Sequence, residues 1–211
     1  NKRLFSILGF FLLLVMCSIG FVAKSAAQQV ENNVETDIEK AWGLVGLAQE
    51  QEDCRSAYEL VAPLAEKGNS DGQVILGWIY QLCDEFKNSG EMLKWYQQSA
   101  NQGNKDGLSL LGWMYDAGIE TPQSIPEAFK LYHQAAEKGE SYSQHILGLS
   151  YLIGHGTKTD PIVAESWFEK AAEGYGDHQT ALEYNYKFLA ENHGNGAFYA
   201  GLMYEFGLGV S

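Results

Sequence analysis

The chain has 211 residues, with 27 acidic against 14 basic side chains and a net charge of −13, and hydrophobic residues make up 45% of it. Such a charge repels phosphate backbones and anionic lipid, so the composition argues against nucleic acid or a charged membrane surface as partner. A solvated, soluble surface is the plain meaning of the acidic excess; selection for a cationic partner is the functional one.

The N-terminus has the layout of a secretory leader. Lys2 and Arg3 precede a nearly unbroken apolar run from Leu4 to Val22, and the small residues Ser25, Ala26 and Ala27 lead into a polar stretch. Residues 1–27 therefore form an expected signal peptide, cleaved after Ala27 and directing the chain to the periplasm or outside the cell. The alternative is that residues 4–22 are kept as a membrane anchor, since the run is long enough to span. Cleavage removes Lys2, Arg3 and Lys24 but no acid, which takes the net charge from −13 to −16. It also leaves two cysteines, Cys54 and Cys83, and in an exported chain an even count favours a disulfide over metal binding. Residues 28–52 follow as a polar linker and a capping helix. Residues 28–36 are expected to be flexible, and Thr36 with Glu39 forms a capping box for a helix from Asp37 to about Glu50 that shields the first repeat.

Residues 53–211 carry a repeat. The segments Gly77-Trp78-Ile79-Tyr80, Gly112-Trp113-Met114-Tyr115, Gly148-Leu149-Ser150-Tyr151 and Gly201-Leu202-Met203-Tyr204 share one signature, with glycines 35, 36 and 53 residues apart. Periods of this length mark stacked supersecondary units. Each unit opens with a helix whose core positions have helical spacing. Examples are Met92, Trp95, Tyr96, Ser99 and Ala100, then Ala128, Leu131, Tyr132, Ala135 and Ala136, then Ala164, Trp167, Phe168, Ala171 and Ala172. The first unit follows with Ala57, Leu60, Val61, Leu64 and Ala65, although Pro63 should kink or shorten its helix.

Gly68, Gly103 and Gly139 end these first helices in a left-handed turn, and the signature lies on a second helix. Small residues recur five places before the signature glycine, at Gly72, Gly107, Ser143 and Gly196. Because glycine inside a helix costs about 1 kcal/mol, its recurrence predicts a partner helix too close for a side chain. Gly118, Gly154 and Gly207, with Pro122, Pro126 and Pro161, punctuate the linkers. The result is an all-α chain of antiparallel helical hairpins.

The combined pattern, small-x-x-x-Leu-Gly-x-x-Tyr-x-x-Gly followed by Ala-x-x-aromatic-aromatic-x-x-Ala-Ala-Glu-x-Gly, resembles the Sel-one-like repeat (SLR) family of tetratricopeptide-like proteins. Lys170-Ala171-Ala172-Glu173 and Gln134-Ala135-Ala136-Glu137-Lys138-Gly139 are close matches. The resemblance implies a right-handed α/α solenoid of about four to five units that mediates protein–protein contacts. Two departures stand out. The interval from Gly148 to Gly201 is one period plus 17 residues, so the array should be irregular over 164–201, and residues 177–191 carry a first-helix pattern at Ala181, Tyr184, Phe188 and Leu189. The chain also stops at Gly207-Leu208-Gly209-Val210-Ser211, where another unit would open, as a fragment would.

Cys54 falls near the start of the first unit's first helix, and Cys83 falls six places after Gly77, where other units place the linker glycine. Antiparallel helices bring these ends together, so the pair is expected as a disulfide, against the alternative of two buried thiols. Some secreted SLR proteins also cross-link their hairpins, but with a shorter, regular cysteine spacing. Nucleophile elbows, zinc-protease helices and phosphate-binding glycine loops are missing, and His133, His145, His155, His178 and His193 are scattered over different units. No catalytic, cofactor or metal residue is therefore expected.

The second helix leaves positions −3, +1 and +4 relative to the signature glycine on a face of their own. They hold Val74, Trp78 and Gln81, then Ser109, Trp113 and Asp116, then His145, Leu149 and Leu152. Trp78 and Trp113, with Val74, His145 and Leu149, form the candidate strip for a protein or peptide partner, because aromatic anchors are favoured at interface centres. The alternative is that these side chains pack between units or under a linker. The sequence thus points to an exported, non-enzymatic adaptor. The rivals are a cell-wall or β-lactam hydrolase of the cysteine-rich SLR type, or the scaffold part of a longer protein.

Overall fold

The computed structural model describes residues 28, 29, 31–46 and 51–175, which are helical apart from short turns and linkers. Helix α1 covers 31–46. The rest are α2 (Gln51–Glu66), α3 (Ser70–Leu82), α4 (Ser89–Asn101), α5 (Lys105–Ala117), α6 (Ile125–Glu137), α7 (Ser141–Ile153) and α8 (Pro161–Tyr175). Each helix from α2 to α8 packs on its neighbours in the chain, and α3 also meets α5. This is the expected all-α solenoid of stacked hairpins. The expected signal peptide over residues 1–27, the expected first-helix pattern over 177–191 and the final signature at Gly201 lie outside the described residues.

Two recurring devices fix the hairpins. At the short turns, Gly68, Gly103 and Gly139 have φ of +95°, +76° and +79°. In each turn the next residue reaches back into the first helix: Asn69 N–H donates to Leu64 O, Asn104 to Ser99 O and Glu140 to Ala135 O. This backward bond satisfies carbonyls left open at the helix end. The same three residues then cap the second helix, Asn69 accepting from Gly72 N–H, Asn104 from Asp106 and Gly107, and Glu140 from Tyr142 and Ser143. One residue thus ends one helix and starts the next. At the longer linkers the signature tyrosine supplies the anchor: Tyr80 O accepts from Asn88, Tyr115 O from Ser124 and Tyr151 O from Asp160.

Small residues sit where helices approach on both sides of the second helix. A Cβ on Gly107 would lie 2.9 Å from Ala100 N, in the preceding helix. One on Gly112 would lie 3.1 Å from the Tyr132 ring, in the following helix, and the rings of Tyr96 and Phe168 stand in the same relation to Gly77 and Gly148. The signature glycine therefore makes the joint between units, and the small residue five places before it closes the hairpin.

Two expectations need correction. Helix α1 is already formed at residue 31, and Thr36 lies inside it, its hydroxyl donating to Asn32 O at 2.8 Å instead of capping a helix end. Upstream of Thr36, Gln28 Nε2 donates to Asn32 Oδ1 and Gln29 Nε2 to Asn33 Oδ1, pairs four residues apart that support a helix there. Helix α2 runs through Pro63 to Glu66 without shortening. Pro63 faces solvent in its last turn, where the missing N–H removes a single hydrogen bond. Ala41 and Val45 of α1 are buried in one cluster with Cys54, Ala57 and Val61 of α2 and Ile75 and Ile79 of α3, so α1 covers the start of the array.

Candidate functional site

Cys54 and Cys83 form a disulfide with Cα atoms 5.9 Å apart. Its placement follows from the linker chemistry. Helices α5 and α7 end on Gly118 and Gly154 with φ of +69° and +80°, whereas α3 ends on Cys83 with φ −90° and ψ 112°. The extended backbone lets Cys83 bridge to the first turn of α2, and both cysteines are buried. Tyr58 stacks on Phe86 in the same region at 4.6 Å, and Arg55 pairs with Glu85. The open end of the first hairpin is thus tied covalently, by stacking and by charge.

The candidate strip divides in two. Val74, His145 and Leu149 are 1%, 3% and 6% exposed and belong to the packed interior, so they offer no free surface to a partner. The reason is that the signature helix is wedged between the helix before it, the helix after it and, for α3 and α5, each other. Burial pushes the His145 imidazole down to about 3, which keeps it neutral at ordinary pH, and its ring lies 5.1 Å from that of Phe168. Trp78 and Trp113 differ. Both remain part-exposed, and both lie against the cluster of Met92, Tyr96 and Met114, Trp78 packing also on the cluster of the first hairpin and Trp113 on that of Ala128, Tyr132 and Leu147. Tyr96, fully buried beneath, donates its hydroxyl to Gln81 Oε1 at 3.1 Å.

Polar links along the array were not foreseen. Asn104 Nδ2 donates to Ser70 Oγ and to Asp71 Oδ1 at 3.2 and 2.6 Å, Gln102 Nε2 to Gln73 Oε1 at 2.8 Å, and Ser143 Oγ to Ser109 Oγ at 2.8 Å. These bonds join residues 29 to 34 positions apart, and the near-constant offset was their signal in the sequence. His155, exposed in the linker after α7, has Nε2 2.9 Å from Asp116 Oδ1. Among the described residues no group of three or more His, Cys, Asp or Glu side chains is gathered as a metal site, and no helix is long and apolar enough to cross a membrane.

The Sel1 repeat family model matches residues 87–104, 106–140, 141–175 and 194–211. Two of these matches frame α5 with α6 and α7 with α8, so the family's unit starts at the signature helix and takes in the aromatic partner of its glycine. An uncharacterized protein of Neisseria meningitidis serogroup B is 35% identical over 117 residues, which is 55% of this chain and 24% of that protein. The chain thus spans about a quarter of that relative's length. The crystal structure of a Sel1 repeat protein from Oxalobacter formigenes is similar with a TM-score of 0.52 and 32% identity, covering 55% of this chain and 88% of that one. A protective antigen present in uropathogenic Escherichia coli strains, displaying an SLR fold, aligns with a TM-score of 0.59 and 23% identity over 87% of this chain and 44% of its own, a likeness of fold. With half its length matched by the family model and the signature joints in place, the chain belongs to the Sel1 repeat family.

Proposed function

We propose that this chain is an exported, non-catalytic scaffold that holds a protein or peptide through the patch around Trp78 and Trp113. The observation that carries the reading is that two part-exposed indoles, one unit apart, both lie against the cluster of Met92, Tyr96 and Met114. A large rigid aromatic loses little entropy on binding and removes much apolar surface from water, which is why such residues dominate interface energetics. Membership of a repeat family built for stacked binding surfaces supports the same reading. Export is supported by the buried disulfide, which persists in oxidising compartments, and by the leader-like layout of residues 2–27. The acidic charge favours a neutral or basic polypeptide over nucleic acid.

The test is the double substitution Trp78→Ala with Trp113→Ala in the full chain. Partner affinity should fall by at least about tenfold, the scale of one interface hot spot. Helicity by circular dichroism should be retained; its loss would assign both indoles to packing alone. Turnover of a chromogenic β-lactam or of peptidoglycan by the purified chain, abolished by a point substitution, would overturn the non-catalytic reading.

A further inference from the structure

We infer that His155 and Asp116 form a pH-responsive joint between consecutive units of the array. His155 follows Gly154, the left-handed cap of α7, and its N–H is held by Ser150 O at 3.0 Å. Asp116 lies in the last turn of α5, 39 positions earlier, and its own carbonyl accepts from Gln123 Nε2 at 2.7 Å. With both backbones fixed, His155 Nε2 and Asp116 Oδ1 meet at 2.9 Å. The bond joins the end of one signature helix to the linker that follows the next, and so crosses the boundary between two units.

The titratable and charged groups on the surrounding segments include Asp116 on α5, Glu120 in the α5–α6 linker, Glu127, Lys130, Tyr132 and His133 on α6, Tyr151 on α7, and Lys158 and Asp160 in the linker of His155 itself; Glu127 pairs with Lys130, and His133 lies beside Glu137. Most are engaged or silent. Glu120 accepts from Ser89 Oγ at 2.5 Å, and Asp160 Oδ1 accepts from the N–H groups of Ile162 and Val163. Burial keeps the Tyr132 phenol protonated. Asp116 is the charge that acts on His155, first through the hydrogen bond, against a smaller opposing effect of burial.

An imidazolium donating to a carboxylate makes a stronger, charge-assisted bond than a neutral ring does. Asp116 is 19% exposed and His155 43%, so the pair is partly shielded from solvent and salt. The hydrogen bond raises the His155 pKa above its ordinary value. A raised histidine pKa contributes its stabilisation fully below about pH 6.5 and loses it as pH climbs through the raised value. Acidification therefore tightens this joint, and alkaline conditions loosen it.

The experiment follows the His155 ring protons by NMR through a pH titration of the full chain, beside Asp116→Asn and His155→Gln variants. Intrinsic-rate-corrected amide exchange of residues 118–124 and 154–160 is measured at pH 5.5 and 8. The His155 midpoint should lie above that in Asp116→Asn. Linker protection should fall by roughly two- to fivefold on going to pH 8 in the wild type, the range of a part-exposed ion pair, and stay flat in both variants. An unchanged midpoint in Asp116→Asn, or wild-type protection that ignores pH, would overturn the proposal.

Discussion

Replacing Gly77 by alanine probes the joint between units most sharply. In a helix interior the change from glycine gains about 1 kcal/mol of propensity, so on α3 in isolation it would stabilise. In the structure the new Cβ would stand 2.5 Å from Tyr96 Cδ1 and 2.9 Å from Cζ, and closer still to Cε1. Tyr96 is 0% exposed and its hydroxyl is committed to Gln81, so the ring has nowhere to withdraw. Overpacking of this kind costs about 1–3 kcal/mol, leaving a net loss of about 0–2 kcal/mol after the propensity gain. Two parallel substitutions calibrate the result. Gly112→Ala brings its Cβ 3.1 Å from the Tyr132 ring, where a shift of a few tenths of an ångström suffices, so its two effects should nearly cancel. Gly43→Ala on α1 meets nothing within 4 Å and should stabilise by about 0.5–1 kcal/mol. Urea unfolding followed by circular dichroism at 222 nm orders the three variants. A Gly77→Ala protein as stable as Gly43→Ala would refute the close approach of α3 and α4.

The disulfide closes a segment with a sequence separation of 29, for which the loop-entropy relation gives about 3–4 kcal/mol. Cys54→Ser with Cys83→Ser should lower the urea midpoint accordingly, and a reductant should reproduce the loss in the wild type; an unchanged midpoint in both would show that the link does not stabilise the first hairpin. His145 contributes with the sign opposite to that of His155. Burial holds its folded pKa near 3, so below about pH 6.5 the unfolded chain binds a proton that the folded chain does not, and stability falls by about 1.4 kcal/mol per pH unit on acidification. A His145→Leu variant should show a shallower acid slope between pH 6.5 and 4, whereas an identical slope would mean that the ring is protonated in the folded state.

Much of the architecture was legible in the sequence because the repeat restates each constraint. Gly68, Gly103 and Gly139 could be recognised as left-handed turns since three units place glycine at one offset, and Cys54 could be paired with Cys83 since an antiparallel hairpin leaves little freedom in which ends meet. The free face of the signature helix was misjudged in part. Positions −3, +1 and +4 look unoccupied when a helix is given one partner, but α3, α5 and α7 each pack against a helix on either side, which buries Val74, His145 and Leu149. Trp78 and Trp113 lie on the same face yet stay part-exposed. The Asp116–His155 bond had no such signal. It joins two segments that differ from unit to unit, and neither residue recurs at its offset in the repeat.

As proposed, the indoles of Trp78 and Trp113 form the centre of a binding surface. The most direct measurement is calorimetric titration of a polypeptide partner, captured with the wild-type chain from envelope extracts and then purified, against wild type and the Trp78→Ala, Trp113→Ala double variant. The variant should bind at least about tenfold more weakly, with an unchanged circular dichroism spectrum. Equal affinities for the two proteins, or loss of helicity in the variant, would contradict it.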